Sequence, residues 1–187
     1  MLYEFSETLN QIKTEQLDDN RLTTGVVKLA QLKGKFGQRV GFGSGLVEEC
    51  EKTEGRFRSA VHIADGALFA VVSVREISED SDARDRVGLF IKKNLMLIVS
   101  LRDDDESIPV SLEETVRRVN LKTVSLERLI CAFFERLLSQ DGSDLEQFDH
   151  RIAEMEEQIE NNTTGKKFNS EILTLRRKVL VIRNYYE

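Results

Sequence analysis

The sequence is poor in the residues that most often carry chemistry. Its 187 residues include two histidines and two cysteines. His62 and His150 fall in different segments and neither neighbours a cysteine, so neither zinc spacing nor a histidine-based catalytic dyad is present. Cys50 and Cys131 stand in apolar helical contexts and read as buried, reduced thiols of a cytoplasmic protein. Long apolar runs are lacking as well. FAVVSV (69–74) and LMLIVS (95–100) fall far short of the roughly 18 apolar residues that a membrane span needs. The N-terminus, MLYEFSETLN, has no basic region followed by an apolar one, so no signal peptide is expected. Nor is there the positive surplus that nucleic acid selects: the net charge is -6, and no nucleic-acid partner is expected. GFGSG (41–45) lacks the G-x-G-x-x-G spacing and reads as a flexible helix entry, not a phosphate cradle. No nucleophile–base pairing emerges, so an enzyme is not expected.

What remains is a chain with 40% hydrophobic and 32% charged residues, enough for one sizeable domain with an appendage. LYEF (2–5) reads as an edge strand. VVKLAQLKGKF (26–36) places Val26, Leu29, Leu32 and Phe36 at helical spacing, and LVEECEK (46–52) reads as a second short helix. The period then changes. RFRSAVHI (56–63) alternates, Asp65-Gly66 signals a tight turn, and ALFAVVSVRE (67–76) is a buried strand. SEDSDARD (78–85) is a solvated connection, after which RVGLFIKK (86–93) and LMLIVSL (95–101) form a second hairpin turning at Lys93-Asn94. Strands that follow one another through short turns predict a largely antiparallel sheet.

RDDDESIP (102–109) holds the only proline, Pro109, and reads as a solvated acidic loop, because the consecutive acids of DDDE cannot all converge on one ion. Ser111 and Glu114 have capping-box spacing and open a short helix. From about Val124 the chain is helical, with an interruption expected at Asp141-Gly142-Ser143 and a polar turn at NNTTGKK (161–167). The domains expected are residues 1–123 and 124–187.

The C-terminal helices carry two apolar seams of period 3.5. Leu145, Phe148, Ile152, Met155 and Ile159 form one; Ile172, Leu175, Val179, Ile182 and Tyr186 form the other. At roughly 1.5–3 kcal/mol for each buried Leu or Ile, such seams hold an antiparallel hairpin. Residues 144–160 carry seven carboxylates against Arg151 alone, whereas residues 166–187 carry six Lys and Arg against Glu171 and Glu187. Two accounts stand. The flanks are complementary, each exposed pair contributing at most about 1 kcal/mol, or the surplus acids attract divalent cations. Leu173, Leu180 and Val181 fall off the seam and call for another partner. The final helix is still in phase at its last turn, as though it led into something further.

Taken in order, the acidic helix GLVEECEKTE, the two hairpins, the long helix LERLICAFFERLL…LEQFDHRIAEMEEQIE and the Arg-rich helix EILTLRRKVLVIRN resemble the cytoplasmic domain of the CorA magnesium-transporter family. The resemblance covers roughly residues 40–187. It implies an α/β fold of the α+β kind, a largely antiparallel mixed sheet flanked by helices (α/β/α), with a C-terminal antiparallel helical hairpin. It further implies that a stalk helix and a membrane region follow, that the whole protein is a homopentamer in the cell membrane, and that these residues lie on its cytoplasmic side. The family's pore-mouth GMN sequence does not occur in these 187 residues.

In that family divalent ions bind between neighbouring subunits and keep the pore closed. Carried over residue by residue, the ligands fall on Glu48 and Glu49 in LVEECE and on Glu135 in AFFERLL. Carboxylate oxygens are what magnesium requires. The implied ion is Mg2+, or another divalent cation such as Co2+ or Zn2+, and the implied function is regulatory gating of its transport. A zinc-transporting relative is one alternative. A soluble interaction module whose hairpin docks a partner helix is the other.

Overall fold

The run LMLIVSLR is apolar on both of its faces, and the fold buries both. In the strand β7 (Leu95–Arg102), Leu95, Leu97 and Val99 enter one core with Phe69, Val71 and Phe90. Met96 and Ile98 enter a second core with Val87 and Leu89. Side chains that alternate along a strand can feed two cores only when helices cover both faces of the sheet.

The structure is a computed structural model describing residues 1–42, 44–53, 60–64, 66–74, 85–103, 105–139 and 141–186. The other strands are β1 (Leu2–Phe5), β2 (Leu9–Ile12), β3 (Leu22–Val27), β4 (Ala60–Ala64), β5 (Ala67–Val74) and β6 (Asp85–Lys92). They lie in the order β2-β1-β3-β7-β6-β5-β4. Among the described residues only β3 and β7 pair in parallel, Thr23 opposite Leu95 through Val27 opposite Val99, and the other pairs are antiparallel. Helices α1 (Leu29–Lys33), α2 (Lys35–Val40) and α3 (Ser44–Thr53) supply Leu32, Val40, Val47 and Cys50 to the first core. Helices α4 (Ser107–Arg118) and α5 (Leu126–Leu137) supply Ile108, Leu112, Val116, Leu129 and Phe133 to the second. This is the mixed, largely antiparallel α/β/α arrangement expected.

Several local expectations shift once tertiary contacts enter. LYEF is a strand but not an edge: β1 lies between β2 and β3, and all four of its residues are buried. Val26 and Val27 belong to β3, because Val26 pairs with Ile98 across the parallel ladder, so the helix starts only at Leu29. Helix α4 begins at Ser107, ahead of the Ser111–Glu114 pair, which lies inside the helix. Pro109 thus sits in the first turn, where a missing N–H breaks no helical bond. The helical run breaks between Leu137 and Asp141, and Asp141, Gly142 and Ser143 form the first turn of the next helix. The predicted turn residue Asp65, Phe57, and all of SEDSDARD except Asp85 lie outside the described residues.

The sheet and α1–α5 form one compact unit; α6 (Asp141–Glu160) and α7 (Phe168–Tyr186) form another. Packing therefore divides the chain after Leu137, later than the 123/124 boundary read from sequence, because Leu129 and Phe133 of α5 are fully buried in the second core of the sheet. In the second unit, α6 and α7 run antiparallel. Arg151 reaches Glu171 at 2.8 Å, and the Lys178 ammonium stands 6.0 Å from the centre of the Phe148 ring. The seams close only in part. Met155 and Phe168 are buried, while Leu145, Ile159, Ile172 and Val179 are exposed along with the off-seam Leu173 and Leu180. The side chains of Val181 and Tyr186 lie outside the described residues. No described helix is long and apolar enough to cross a membrane.

Candidate metal centre

Helix α3 turns Val47 and Cys50 inward at a spacing of three, which leaves the intervening positions toward solvent. Glu48 is exposed and Glu49 half-buried. The Glu49 carboxylate accepts a hydrogen bond from Lys52 Nζ at 2.8 Å, so any cation there competes with an ammonium. Glu51, on the same helix, pairs with Lys33 of α1. Glu135 sits on the exposed side of α5, opposite the face that buries Leu129 and Phe133. Glu48 and Glu49 therefore share one helix, and Glu135 stands in the helical layer on the other side of the sheet. Each helix–sheet layer is about 10 Å deep, so the three do not converge within one chain.

Among the described residues one group of acids does converge. Carboxylate oxygens of Asp85, Asp103 and Asp105 lie within 4.8 Å of one another. The pairing of Arg86 with Arg102 across β6 and β7 brings Asp85 beside Asp103, and the chain reverses through Glu106, whose φ is 60°. Sequence reasoning missed this set because Asp85 is remote along the chain; the β6–β7 register was the signal needed. Asp104 lies outside the described residues.

The three acids already have work to do at the start of α4. The Ser107 N–H donates to Asp105 Oδ1 at 3.0 Å, and the Ile108 N–H donates to Asp103 Oδ1 at 3.4 Å. Ser107 Oγ lies 3.2 Å from Asp85 Oδ2 and 3.3 Å from Asp103 Oδ1, and its one proton serves either. These contacts satisfy N–H groups that a helix start leaves without partners. Burial pushes the Asp103 carboxyl above the ordinary carboxylate range, whereas the hydrogen bond from the Ser107 backbone holds Asp105 below it. The lone pairs left over are hard oxygen donors of the kind magnesium and calcium take.

Opposite shifts predict opposite pH behaviour. Asp105, with its pKa depressed by folding, contributes stability above the unfolded-state carboxylate pKa and loses it as pH falls through the folded value. Asp103, with its pKa raised, contributes most below the unfolded value, and that contribution fades as pH rises through the folded one. Asp105→Asn should therefore be destabilised at pH 7, by about 0.5 kcal/mol after allowance for solvent screening, with the deficit closing in acid. Asp103→Asn keeps an acceptor oxygen and should be relatively most favourable at pH 7. Urea midpoints at pH 3, 5 and 7 check both, and parallel profiles for the two variants would contradict the assignment.

The hairpin encloses a crevice of about 330 Å³ lined by Phe148, Arg151, Glu171 and Lys178 among others. Its Glu171 is paired to Arg151, whose guanidinium is held above its ordinary pKa by hydrogen bonding to Glu154 and then by the charge of Glu171. A divalent cation would have to displace that guanidinium. The exposed acids of α6 outside the crevice, Glu146, Asp149, Glu154, Glu156, Glu157 and Glu160, carry no such pairing to α7 among the described residues.

No protein-family model and no curated protein matches the chain. Solved structures do match it. The CorA magnesium transporter from Methanocaldococcus jannaschii is similar over 99% of this chain and 57% of its own, with a TM-score of 0.67 and 15% identity. The full-length CmaX protein is similar over 98% of this chain and 58% of its own, with a TM-score of 0.75 and 10% identity. The cytoplasmic domain of ZntB from Vibrio parahaemolyticus is similar over 96% of this chain and 70% of its own, with a TM-score of 0.60 and 11% identity. The chain thus spans 57% of the length of the CorA transporter it matches. At such identities the likeness resides in the backbone: a seven-stranded mixed sheet between two helical layers, followed by a helical hairpin. The chain has the fold of the CorA soluble domain.

Proposed function

We propose that the chain is the cytoplasmic regulatory domain of a CorA-like divalent-cation transporter, with magnesium as the ion sensed and carried. The observation that carries this reading is the near-complete sharing of the fold, 99% of this chain, with a magnesium transporter. Glu48, Glu49 and Glu135 serve as ligands between subunits of a homopentamer in the cell membrane. Their placement supports this. A cyclic ring is built from heterologous contacts, in which one face of a subunit meets a different face of the next. Acids on opposite layers of one sheet are suited to such a contact, and unsuited to a site inside one chain.

In this reading the ion screens repulsion between neighbouring carboxylates and holds the ring closed. As magnesium falls the sites empty, subunits separate and the pore opens. The ion must bind the closed ring more tightly than the open one, because equal affinity would shift nothing. The acids of α6 raise the local cation concentration, an effect that monovalent salt weakens.

The test is ion uptake by the full-length protein in vesicles, with internal magnesium varied. Glu48→Ala/Glu49→Ala/Glu135→Ala should keep conducting at internal magnesium that closes the unsubstituted protein. Identical closure in the two would remove these residues as ligands. Zinc flux without magnesium flux would transfer the reading to a zinc-transporting relative. The exposed Leu173, Val179 and Leu180 favour a second reading, a soluble module that docks a partner helix. Membrane-spanning segments encoded downstream of residue 187 would decide for the transporter, and their absence for the module.

A further inference from the structure

The parallel strands β3 and β7 begin at a crevice of about 210 Å³ that lies apart from every carboxylate considered above. Arg21, Arg39, Lys92 and Lys93 line it, against Asp18 and Asp19, in a chain whose net charge is -6. A concave site with a local surplus of positive charge on an acidic protein concentrates anions.

The cations are arranged in advance. Arg39 donates from Nη1 to the Thr14 carbonyl at 3.2 Å and from Nη2 to the Leu17 carbonyl at 3.0 Å. A guanidinium has five N–H donors, so the rest of the fork is left for a ligand. Lys92 Nζ donates to the Gly41 carbonyl at 3.1 Å and keeps two further protons. Gly41 has a φ of 69°, and a Cβ there would stand 2.8 Å from that Nζ, so glycine both permits the turn and clears the ammonium. Lys93 has a φ of 46°, in the left-handed region that hairpin turns usually fill with Asn or Gly. Among the described residues no hydrogen bond or ion pair occupies its ammonium.

The acids do not cancel this. The Asp18 carboxylate accepts the Asn20 N–H at 3.0 Å and lies 3.6 Å from Arg21 Nε, while Arg21 also donates to the buried Glu4 at 2.7 Å. That leaves Asp19, an acceptor at the rim of a cationic crevice. Such a set suits a ligand that offers anionic oxygens and a hydroxyl proton together. We propose that the crevice binds a phosphate group bearing or adjoining a hydroxyl, as hydrogen phosphate or a sugar phosphate does, with its oxygens on Arg39, Lys92 and Lys93 and the hydroxyl on Asp19.

The test is amide NMR on the 187-residue chain at fixed ionic strength, titrated separately with inorganic phosphate, ribose 5-phosphate and sulfate. Saturable shifts at Gly41, Lys93 and Asn94 are expected, tighter for a phosphate ligand than for sulfate, which has no proton to give Asp19. Whichever phosphate ligand saturates first identifies the source. Lys92→Gln/Lys93→Gln should weaken binding by ~10-fold or more, whereas Lys122→Gln should leave it unchanged. Asp19→Ala, a change at an exposed position that keeps the fold and removes the acceptor, should erase the preference for phosphate over sulfate. Shifts that never saturate, that survive the double lysine substitution, or that match for phosphate and sulfate in the unsubstituted chain would overturn the proposal.

Discussion

Phe90→Ala is expected to lower the stability of the sheet unit by about 3–5 kcal/mol, the usual cost of deleting a buried aromatic ring. Phe90 is wholly buried on β6, with its ring centre 4.7 Å from that of Phe69 and 5.2 Å from that of Phe42. Both neighbouring strands are hydrogen-bonded to β6, so the sheet cannot close over the void. Domains of this size are stable by about 5–15 kcal/mol, so the loss is a large share of the total. Urea unfolding followed by circular dichroism should show a lower midpoint with an unchanged slope. Phe90→Leu should recover most of the difference. Because Phe42 lies just ahead of α3 and Phe69 packs beneath it in the same core, the variant should also loosen the helix that presents Glu48 and Glu49. A midpoint that does not move would show that this aromatic column does not support α3.

Gly37→Ala should lower stability by about 2–3 kcal/mol, although alanine is the better helix former. The reason is the close passage of α2 against the end of α1. A Cβ on Gly37 would overlap the Leu32 carbonyl, which is backbone and cannot swing aside, and Leu32 is itself buried. Gly142 provides the contrast. It lies in the first turn of α6 with nothing within 4 Å of the place a methyl group would take, so Gly142→Ala should be neutral or stabilising by up to about 1 kcal/mol. Thermal or urea midpoints of the two variants should therefore move in opposite directions. Equal shifts would mean that helix propensity alone governs both sites.

The candidate metal residues divide in the same way between what is local and what is not. Glu48, Glu49 and Glu135 came from the family resemblance, and the helices that carry them were legible in LVEECEK and in the run from Val124. Their separation on opposite layers was not legible, since it depends on which face of the sheet each helix covers. The convergence of Asp85 with Asp103 and Asp105 was hidden for a related reason: it is set by the β6–β7 register, with its irregularity between Arg86 and Val87.

By itself the sequence determined the kinds of element and most of their turns. The short apolar runs in residues 67–74, 86–92 and 95–101, bounded by turn signals, make strands, and the spacing from Leu145 to Ile182 makes an antiparallel helical pair, because both signals arise from near neighbours along the chain. The tertiary structure alone decided that β1 lies inside the sheet, that β3 and β7 run parallel, and that α5 packs with the sheet rather than with the hairpin. Those outcomes come from burying both faces of one sheet at once. That burial ties together residues distant in the chain, and no local pattern of residues encodes it.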